Sequence, residues 1–475
     1  KPDFVKTHYN LGNLLKKLGD LKEAEKSYLK AIELKPDFAM AYYNLGSILS
    51  EISNYKNAKI AFDKALENNP NHFGYYYSSK LYLSAIPDSK EQISFERNEF
   101  RKNLVGIKNK DFEFDGNCNF NNYIFYLAFH GEENDKEILN ELSHALSNIK
   151  GLINNSFNKE KQIESYKKRT KIRLGICSEF LYSHSVNHFF GNIIKDIASS
   201  GIEIILFRGP NSKYDDESKS LDSIARKSIN LPNNIQCACK IILNESIDIL
   251  LYPEIGMSTF TYFLSLSRLA LIQVNTLGHS NTSGSPNIDY AISCIDYDVK
   301  GSEKHFSEQT ITLTRHPVNY TTPILKESSF ERSDLNLPDG TFLIGLPHTS
   351  FKYHPDFDFI LDRILEEIPN AYFYCAEAEN QSMTKCLKDR WNANTKLILK
   401  RTIFFKRVGM NDFMKILKSV DIILAPFFFG MGNTFYQAMS VGTPVVSYAQ
   451  DIFRTRTPLA GYKQMGISNP PIAFS

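Results

Sequence analysis

The sequence is poor in cysteine, nearly balanced in charge and without any long hydrophobic run. Its seven cysteines are scattered and form no Cys-X-X-Cys pair, which argues against a zinc site or a disulfide framework and favours a reducing cytoplasm. A net charge of +2 gives no reason to expect nucleic acid as a partner. Because no apolar run approaches the roughly 18 residues of a membrane span, no membrane partner is expected either. The 475 residues, 42% of them hydrophobic, are enough for about three globular domains.

A repeat occupies the first seventy residues. Asn10-Leu11-Gly12 recurs as Asn44-Leu45-Gly46, at a period of 34 residues. This period and pattern resemble the tetratricopeptide repeat, a pair of antiparallel helices. We expect Gly12 and Ala24 to let the paired helices approach closely, with the ring of Tyr28 filling the gap between them. Residues 1–72 are therefore predicted to be a repeat array.

Residues 73–170 are predicted to be a helical connecting region with a linker. The stretches at 108–122 and 154–168 are polar and lack a period, so we interpret the first as a loop and the second as the linker. We interpret the whole block as structural spacing. Three segments have apolar residues at helical spacing: 73–82, 90–104 and 137–149.

From Lys171 onward, short runs of Ile, Leu, Val and Phe alternate with helical stretches. This alternation favours mostly parallel sheets with helices on both faces. A polar segment at 316–338 separates two such series, so we predict two Rossmann-like domains, at 171–325 and 338–475. They should face each other across a cleft suited to a nucleotide and an acceptor. The predicted strands are 171–177, 203–208, 247–253, 272–277, 290–293, 341–347, 371–376, 396–398, 422–425 and 444–447.

The most informative motif is a glycine-rich turn, Gly430-Met431-Gly432-Asn433-Thr434, between a buried-strand pattern and a predicted helix at 435–441. At a helix start, free N–H groups and the positive end of the dipole face one point, where a phosphate binds. Lys352 follows the first strand of the second series and is placed to reach a diphosphate. The alternatives are an ordinary strand–turn–helix connection and a surface lysine.

Other polar groups follow strands that end at the predicted cleft. His184 and His188 come after the first strand, and an imidazole can accept a proton at neutral pH. The loop at 277–284 offers hydroxyl and backbone N–H groups to a substrate. Arg454 and Arg456 follow the last predicted strand. Each feature has a structural alternative. The histidines could cap a helix, the loop could be a simple turn of small residues, and the arginines could be solvated surface charges.

Two Asp-X-Asp pairs have the spacing of a metal-binding motif. Asp356 and Asp358 open a predicted helix, where first-turn carboxylates favour the dipole, and we prefer that interpretation. Asp296 and Asp298 stand in a polar loop without other clustered ligands. We therefore predict no metal site.

The ordered motifs resemble the O-linked N-acetylglucosamine transferase/SPINDLY family, especially its bacterial members, over about residues 1–467. The resemblance implies repeats followed by a GT-B fold and inverting transfer of a sugar without metal or other cofactor. The default donor is UDP-N-acetylglucosamine, and the acceptors are Ser or Thr hydroxyls of proteins recruited by the repeats. In chain order the motifs are HxxxH, LGHxxTSGxPxxDY, FKxHPDFD, PFxFGxGNTxxxAxxxGTPVV and RxRxxLxxYxQMG.

Residue by residue, the resemblance implies a donor diphosphate between Lys352 and the helix start at Gly432, Asn433 and Thr434. There the lysine and the aligned N–H groups would stabilise the charge of the departing diphosphate. His184 matches the first histidine of HxxxH and is a candidate base or acceptor-positioning group.

The resemblance also implies secondary contacts. Thr282 and Ser283, in the loop that also holds His279, match a segment near donor and acceptor. Arg456 matches a basic residue near the nucleotide. Relatives usually carry an acidic residue that accepts hydrogen bonds from the ribose, and here Gln437 stands there without charge assistance. Weaker donor affinity or a different nucleotide sugar is expected.

Two further departures leave alternatives open. His348 and Thr349 occupy a stretch where many relatives have glutamine. Relatives also continue well past the QMG motif, and the sequence begins at Lys1, so we interpret it as truncated at both ends, with an incomplete second Rossmann-like domain. The alternatives are an inactive repeat scaffold for protein–protein interaction, another donor such as a fucosyl nucleotide, and a non-protein acceptor.

Overall fold

The structure, a computed structural model, describes residues 2–131, 134–276, 278–321 and 331–474. A helical N-terminal part is followed by a seven-stranded and a six-stranded parallel sheet, as the sequence predicts. Several predicted segments include positions outside the described residues, namely Lys1, 132–133, Leu277, 322–330 and Ser475. Within the described ranges, no helix has the length and apolar composition that a membrane crossing requires.

The repeats form two helix pairs, and the predicted close approach is confirmed. A Cβ on Gly12 would lie 2.6 Å from the ring of Tyr28, and one on Gly46 would lie 2.7 Å from the ring of Phe62. Glycine is therefore required where the large ring of one helix meets its neighbour. Ala24 is fully buried in the same contact. The helices are α1 (Pro2–Lys17), α2 (Leu21–Leu34), α3 (Ala39–Glu51) and α4 (Tyr55–Asn68).

The connecting block is more ordered than its sequence predicts. Residues 154–168, predicted to be a linker, contain helix α8, and a 3-10 helix at Tyr123–Phe129 was not predicted. The block shares one hydrophobic core with the sheet that follows, in which Phe73 and Leu142 pack in the same cluster as Leu250. Its α-helices are α5 (Phe73–Lys80), α6 (Lys90–Lys108), α7 (Lys136–Leu146) and α8 (Lys159–Lys167).

The first lobe is a parallel sheet in the order β3-β2-β1-β4-β5-β6-β7, the order of a doubly wound Rossmann-type fold. Strand β1 is buried along nearly its whole length, as expected for a central strand covered on both faces. The strands are β1 (Arg173–Ser178), β2 (Glu203–Arg208), β3 (Lys227–Asn230), β4 (Ile249–Tyr252), β5 (Ile272–Asn275), β6 (Tyr290–Cys294) and β7 (Gln309–Leu313). The helices are α9 (Ser185–Ser199), α10 (Asp216–Asp222), α11 (Ile235–Asn244) and α12 (Thr259–Ser265).

The second lobe repeats this architecture in the order β10-β9-β8-β11-β12-β13. In both lobes, the loops at the carboxyl ends of the parallel strands therefore lie at the edge of the sheet where open α/β folds bind ligands. The strands are β8 (Phe342–Leu346), β9 (Ala371–Ala376), β10 (Thr402–Phe405), β11 (Ile422–Leu424), β12 (Val445–Tyr448) and β13 (Ile472–Ala473). The helices are α13 (Pro355–Glu367), α14 (Gln381–Asn394), α15 (Met410–Ser419), α16 (Asn433–Ser440) and α17 (Thr457–Gln464).

Nine of the ten predicted strands are present within a few residues, and the prediction at 396–398 is wrong. Ile398 is fully buried, but Asp362 accepts the N–H groups of Leu397 at 2.8 Å and Ile398 at 3.2 Å. These bonds hold the backbone in a turn, and the strand begins only at Thr402. Strands β3 and β7 were missed because they are largely exposed edge strands without an apolar run.

Candidate functional site

A cavity of about 390 Å³ lies between the two lobes at the carboxyl edges of both sheets. It contains six of the ten residues that the sequence singled out. From the first lobe it is lined by His184 and His279, and from the second by Lys352, Gly432, Asn433 and Thr434.

The start of α16 is built to expose its backbone N–H groups. Gly430 has φ +62, and a Cβ there would lie 3.0 Å from the carbonyl oxygens of Arg454 and Thr455, so only glycine fits. In the described structure the N-cap, Gly432, supplies no side-chain hydrogen bond to the first turn. The helix begins at Asn433, two residues earlier than predicted. Asn433 and Thr434 line the cavity, and no acceptor for their N–H groups is found among the described residues, as an anion site requires.

Lys352 lies in a short 3-10 helix directly after β8. Its side chain is half-buried, and its ammonium lies 4.6 Å from the centre of the Phe429 ring. Burial lowers the pKa of Lys352 to about 8, so the group is mainly protonated at neutral pH but poorly solvated. An anion bound in the cavity would interact with the ammonium in place of the water that burial has removed. Lys352 and Asn433 line the same cavity.

His184 caps α9 and also lines the cavity. Its Nδ1 accepts a hydrogen bond from the N–H of Val186 at 3.3 Å, and its ring stacks on Phe180 with centroids 4.6 Å apart. Burial lowers its pKa to about 4, with further lowering by His188 and nearby cations. The imidazole is therefore neutral at pH 7, and with Nδ1 used as an acceptor its single proton resides on Nε2.

The predicted substrate loop is only partly at the cavity. His279 is buried against Gly256, lines the cavity and stacks with Phe125, and burial lowers its pKa to about 4. Thr282 and Ser283 do not line it. The Thr282 hydroxyl donates to Glu308 at 2.5 Å and the Ser283 N–H donates to the same carboxylate at 2.7 Å. These two residues hold the loop to the first lobe.

Gln437 and Arg456 are likewise placed outside the lining of the cavity. Gln437 is buried one turn beyond Asn433 on α16, and its amide nitrogen lies 3.2 Å from the sulfur of Met410. Arg456 donates to the carbonyl oxygen of Gln450 at 3.1 Å. Arg454, two residues earlier, lines the cavity instead.

Aromatic residues that the sequence did not single out form much of the wall. Phe125 and Phe129 come from the connecting block, and they pack on Phe351 with centroids 5.3 and 4.8 Å apart. Phe129 also contacts Phe429. The connecting block therefore builds part of the site, and its interpretation as spacing alone is wrong. The Phe-Phe-Phe run at 427–429 was the one signal that could have indicated an aromatic wall.

The Asp-X-Asp pairs are structural, as preferred. Asp358 is buried and accepts from Arg390 at 2.7 Å. Asp298 accepts hydrogen bonds from the hydroxyls of Ser293 and Thr312. Asp296 lies 3.6 Å from the ammonium of Lys463. In the part of the chain that the structure describes, no three His, Cys, Asp or Glu side chains group as metal ligands.

The electrostatic character of the cavity is positive. Among the described residues that line it, none is Asp or Glu. Lys352 and the first turns of α9 and α16 supply a cation and two positive dipole ends. Such a site attracts a ligand with concentrated negative charge, such as a diphosphate.

Helical repeats followed by two facing Rossmann-like lobes define the class: a tetratricopeptide-repeat protein with a GT-B fold. Residues 5–38 and 39–72 each match the tetratricopeptide repeat family. The whole chain superposes on a mutant of the O-GlcNAc transferase of Thermobaculum terrenum with a TM-score of 0.73, covering 87% of that chain at 16% identity. This likeness confirms the predicted fold.

Curated relatives match a shorter stretch. Over 193 residues the chain is 28% identical to the UDP-glucose:protein N-beta-glucosyltransferase of Actinobacillus pleuropneumoniae serotype 5b, and equally to that of serotype 7. Each match covers 40% of this chain and 30% of the relative, so the chain aligns with less than a third of the length of these relatives.

Proposed function

We propose that the protein is a glycosyltransferase that moves a sugar from a nucleotide donor to a protein recruited by its repeats. The observation that carries this proposal is the convergence of Lys352 with the starts of α9 and α16 on one cavity between the lobes. The fold and the activities named for the similar proteins support the same reaction class.

In this proposal the cavity binds the donor diphosphate and stabilises it as a leaving group. When the bond between the anomeric carbon and the diphosphate oxygen breaks, the electron pair stays on that oxygen. The Lys352 ammonium and the N–H groups of Asn433 and Thr434 then oppose the developing charge. One such preorganised donor is typically worth about 10²–10³ in rate. The acceptor oxygen attacks the anomeric carbon from the opposite face, which inverts that centre, and its hydroxyl proton passes to an oxygen of the departing diphosphate. Because Lys352 and the N–H groups oppose the charge of the leaving group, the proposed transfer needs no metal ion.

We propose that His184 positions the acceptor rather than taking its proton. Its Nδ1 is engaged in capping α9, which leaves an Nε2–H that donates to an oxygen in the cavity. Accepting a proton at Nε2 would first require the other tautomer, which breaks the cap, and would then form an imidazolium that burial disfavours.

The donor and acceptor are proposed from resemblance: UDP-N-acetylglucosamine and Ser or Thr hydroxyls. The names of the curated relatives favour UDP-glucose and a nitrogen acceptor, so these are the competing substrates. The roles of Gln437 and Arg456 at the nucleotide, and of Thr282 and Ser283 near the substrates, remain proposals.

The test is transfer of label from UDP-N-acetylglucosamine, UDP-glucose or GDP-fucose to a mixed peptide library, followed by mass spectrometry of the modified side chain. We expect transfer from a uridine donor, loss of it in Lys352→Ala, and no change on adding EDTA. The control is Lys385→Ala, an exposed lysine on α14. Absence of transfer from every donor, or equal transfer by Lys352→Ala and Lys385→Ala, would contradict the proposal.

A repeat scaffold with an inactive transferase fold is the second candidate. It is favoured by one observation, that Gln437 is buried against Met410 and does not line the cavity. This candidate predicts a captured partner without any binding of UDP. Calorimetric binding of UDP that Lys352→Ala abolishes would exclude it.

A further inference from the structure

A chain of hydrogen bonds runs from α16 through the first lobe to the wall of the cavity. The Tyr436 hydroxyl bonds Nδ1 of His316, and Nε2 of His316 lies 2.6 Å from the Tyr297 hydroxyl. Tyr297 donates in turn to the hydroxyl oxygen of Thr457 at 3.1 Å. His316, Tyr297 and Thr457 all line the cavity, and each is at least nine-tenths buried. The transfer proposed above assigns none of them a role.

Counting protons fixes the direction of this chain. Burial lowers the pKa of His316 to about 3, so its ring is neutral and carries one proton. Because Tyr297 gives its only hydroxyl hydrogen to Thr457, the bond between Tyr297 and His316 must be donated by Nε2–H. Nδ1 is then unprotonated and accepts from Tyr436. Every donor along the chain up to Thr457 is satisfied.

Thr457 is the end of the chain. Its oxygen accepts from Tyr297, and no acceptor for its own hydroxyl hydrogen is found among the described residues. Consecutive hydrogen bonds polarise one another, which strengthens the last donor. A buried hydroxyl hydrogen without a partner is costly, so a ligand oxygen in the cavity is the natural acceptor.

The guanidinium of Arg454, three residues before Thr457, is engaged within the protein. The guanidinium of Arg454 lies 3.2 Å from the carboxylate of Asp135 and donates to Asn281 at 3.0 Å. Phe453 stacks on Tyr297 with centroids 4.4 Å apart. This contrasts with the positive region formed by Lys352 and the start of α16. A neutral hydroxyl donor beside an aromatic ring and an already engaged guanidinium suits the uncharged hydroxyl or carbonyl oxygen of a sugar better than a phosphate.

We propose that Thr457 binds an oxygen of the transferred sugar, and that Tyr436, His316 and Tyr297 are positioning residues that fix its hydroxyl as a donor. This inference rests on the proposed function. It makes the sugar contact depend on both lobes, because Tyr436 and Thr457 belong to the second lobe whereas His316 and Tyr297 follow or belong to the first.

The test compares the affinity of each variant for UDP, UDP-glucose and UDP-N-acetylglucosamine by calorimetry. Thr457→Val keeps the shape but removes the hydroxyl, and we expect about tenfold weaker binding of at least one UDP-sugar with UDP unchanged. Thr457→Ser should restore the affinity. Tyr297→Phe should give a smaller loss, because Thr457 keeps its hydroxyl but is no longer held as a donor.

The matched control is Thr395→Val, at the end of α14, where the hydroxyl bonds the carbonyl oxygen of Trp391. Thermal unfolding of each variant shows whether the fold is intact. Equal weakening of UDP and UDP-sugar by Thr457→Val, or full affinity for both sugars, overturns the inference while the proposed function stands. If the wild-type protein binds neither UDP nor a UDP-sugar, both fail together.

Discussion

The first turns of α9 and α16 line the same cavity, but the two helices differ in how their N-termini are capped. The α9 start is capped by a side chain, His184, which accepts the N–H of Val186. The α16 start follows two glycines, and its N-cap offers no side chain to the first turn in the described structure. The first lobe therefore satisfies its helix start internally, whereas the second leaves its N–H groups for a ligand. The difference supports the proposal that α16 binds the anion and that His184 at the start of α9 positions the acceptor.

The largest effect should come from removing the cation at the α16 side. Lys352→Ala should lower kcat by about 10²–10³, because an electrostatic donor to the leaving group is lost. Steady-state kinetics with the preferred UDP-sugar measures this. The comparison fails if Lys352→Ala reduces the rate no more than the exposed control Lys385→Ala.

The geometry of the α16 start can be broken separately. Gly430→Ala should destabilise the protein by about 1–3 kcal/mol, since alanine at φ +62 is strained and its Cβ would crowd two carbonyl oxygens. UDP affinity should fall as well. Gly442→Ala is the matched control, because Gly442 has φ +81 and open space around it. It should cost stability but not UDP affinity, as measured by denaturant unfolding and calorimetry.

Binding of UDP should depend on pH through Lys352. Burial lowers the pKa of the free lysine to about 8, and a bound diphosphate would raise it, so binding favours the protonated form. Affinity should be flat below that value and about tenfold lower at pH 9 than at pH 7. In Lys352→Arg the guanidinium stays charged, so whatever affinity remains should not fall over this range. An identical fall in both proteins would point to another group.

The smallest effect concerns the cap of α9. His184→Ala should lower the free energy of unfolding by about 1 kcal/mol, whereas His184→Asn can keep the cap and should cost little. Both variants should lower the rate of transfer if the Nε2–H positions the acceptor. Chemical denaturation and kinetics together separate the two roles. Unchanged activity in His184→Asn would show that His184 only caps α9 and does not position the acceptor.

The sequence predicted the parts of the site that follow directly from strands. Lys352 comes after β8, and Gly432 to Thr434 come after β11, so their meeting at one sheet edge is a consequence of parallel topology. Arg456 was preferred over Arg454 because only the family motif distinguished them. Which of two arginines enters the cavity is decided by the 3-10 turn at Phe453–Thr455, which no sequence period reveals.

The aromatic wall could not be predicted for a different reason. Phe125 and Phe129 lie in a 3-10 helix outside both lobes, and their distance in sequence from Phe351 and Phe429 is more than two hundred residues. Such a contact depends on how the connecting block folds back over the cleft. Local hydrophobic patterns in the sequence do not show where the connecting block packs.

The shared core of the connecting block and the first lobe has a practical consequence. The sequence can be divided at residue 171 into a helical half and an α/β half, but the folded protein cannot. A shortened protein that began there would lose Phe125 and Phe129 from the cleft and expose the hydrophobic face of the first lobe that includes Leu250 and Phe263. Engineers who wish to exchange the tetratricopeptide repeats should therefore cut before Phe73 and leave the connecting block attached to the two lobes.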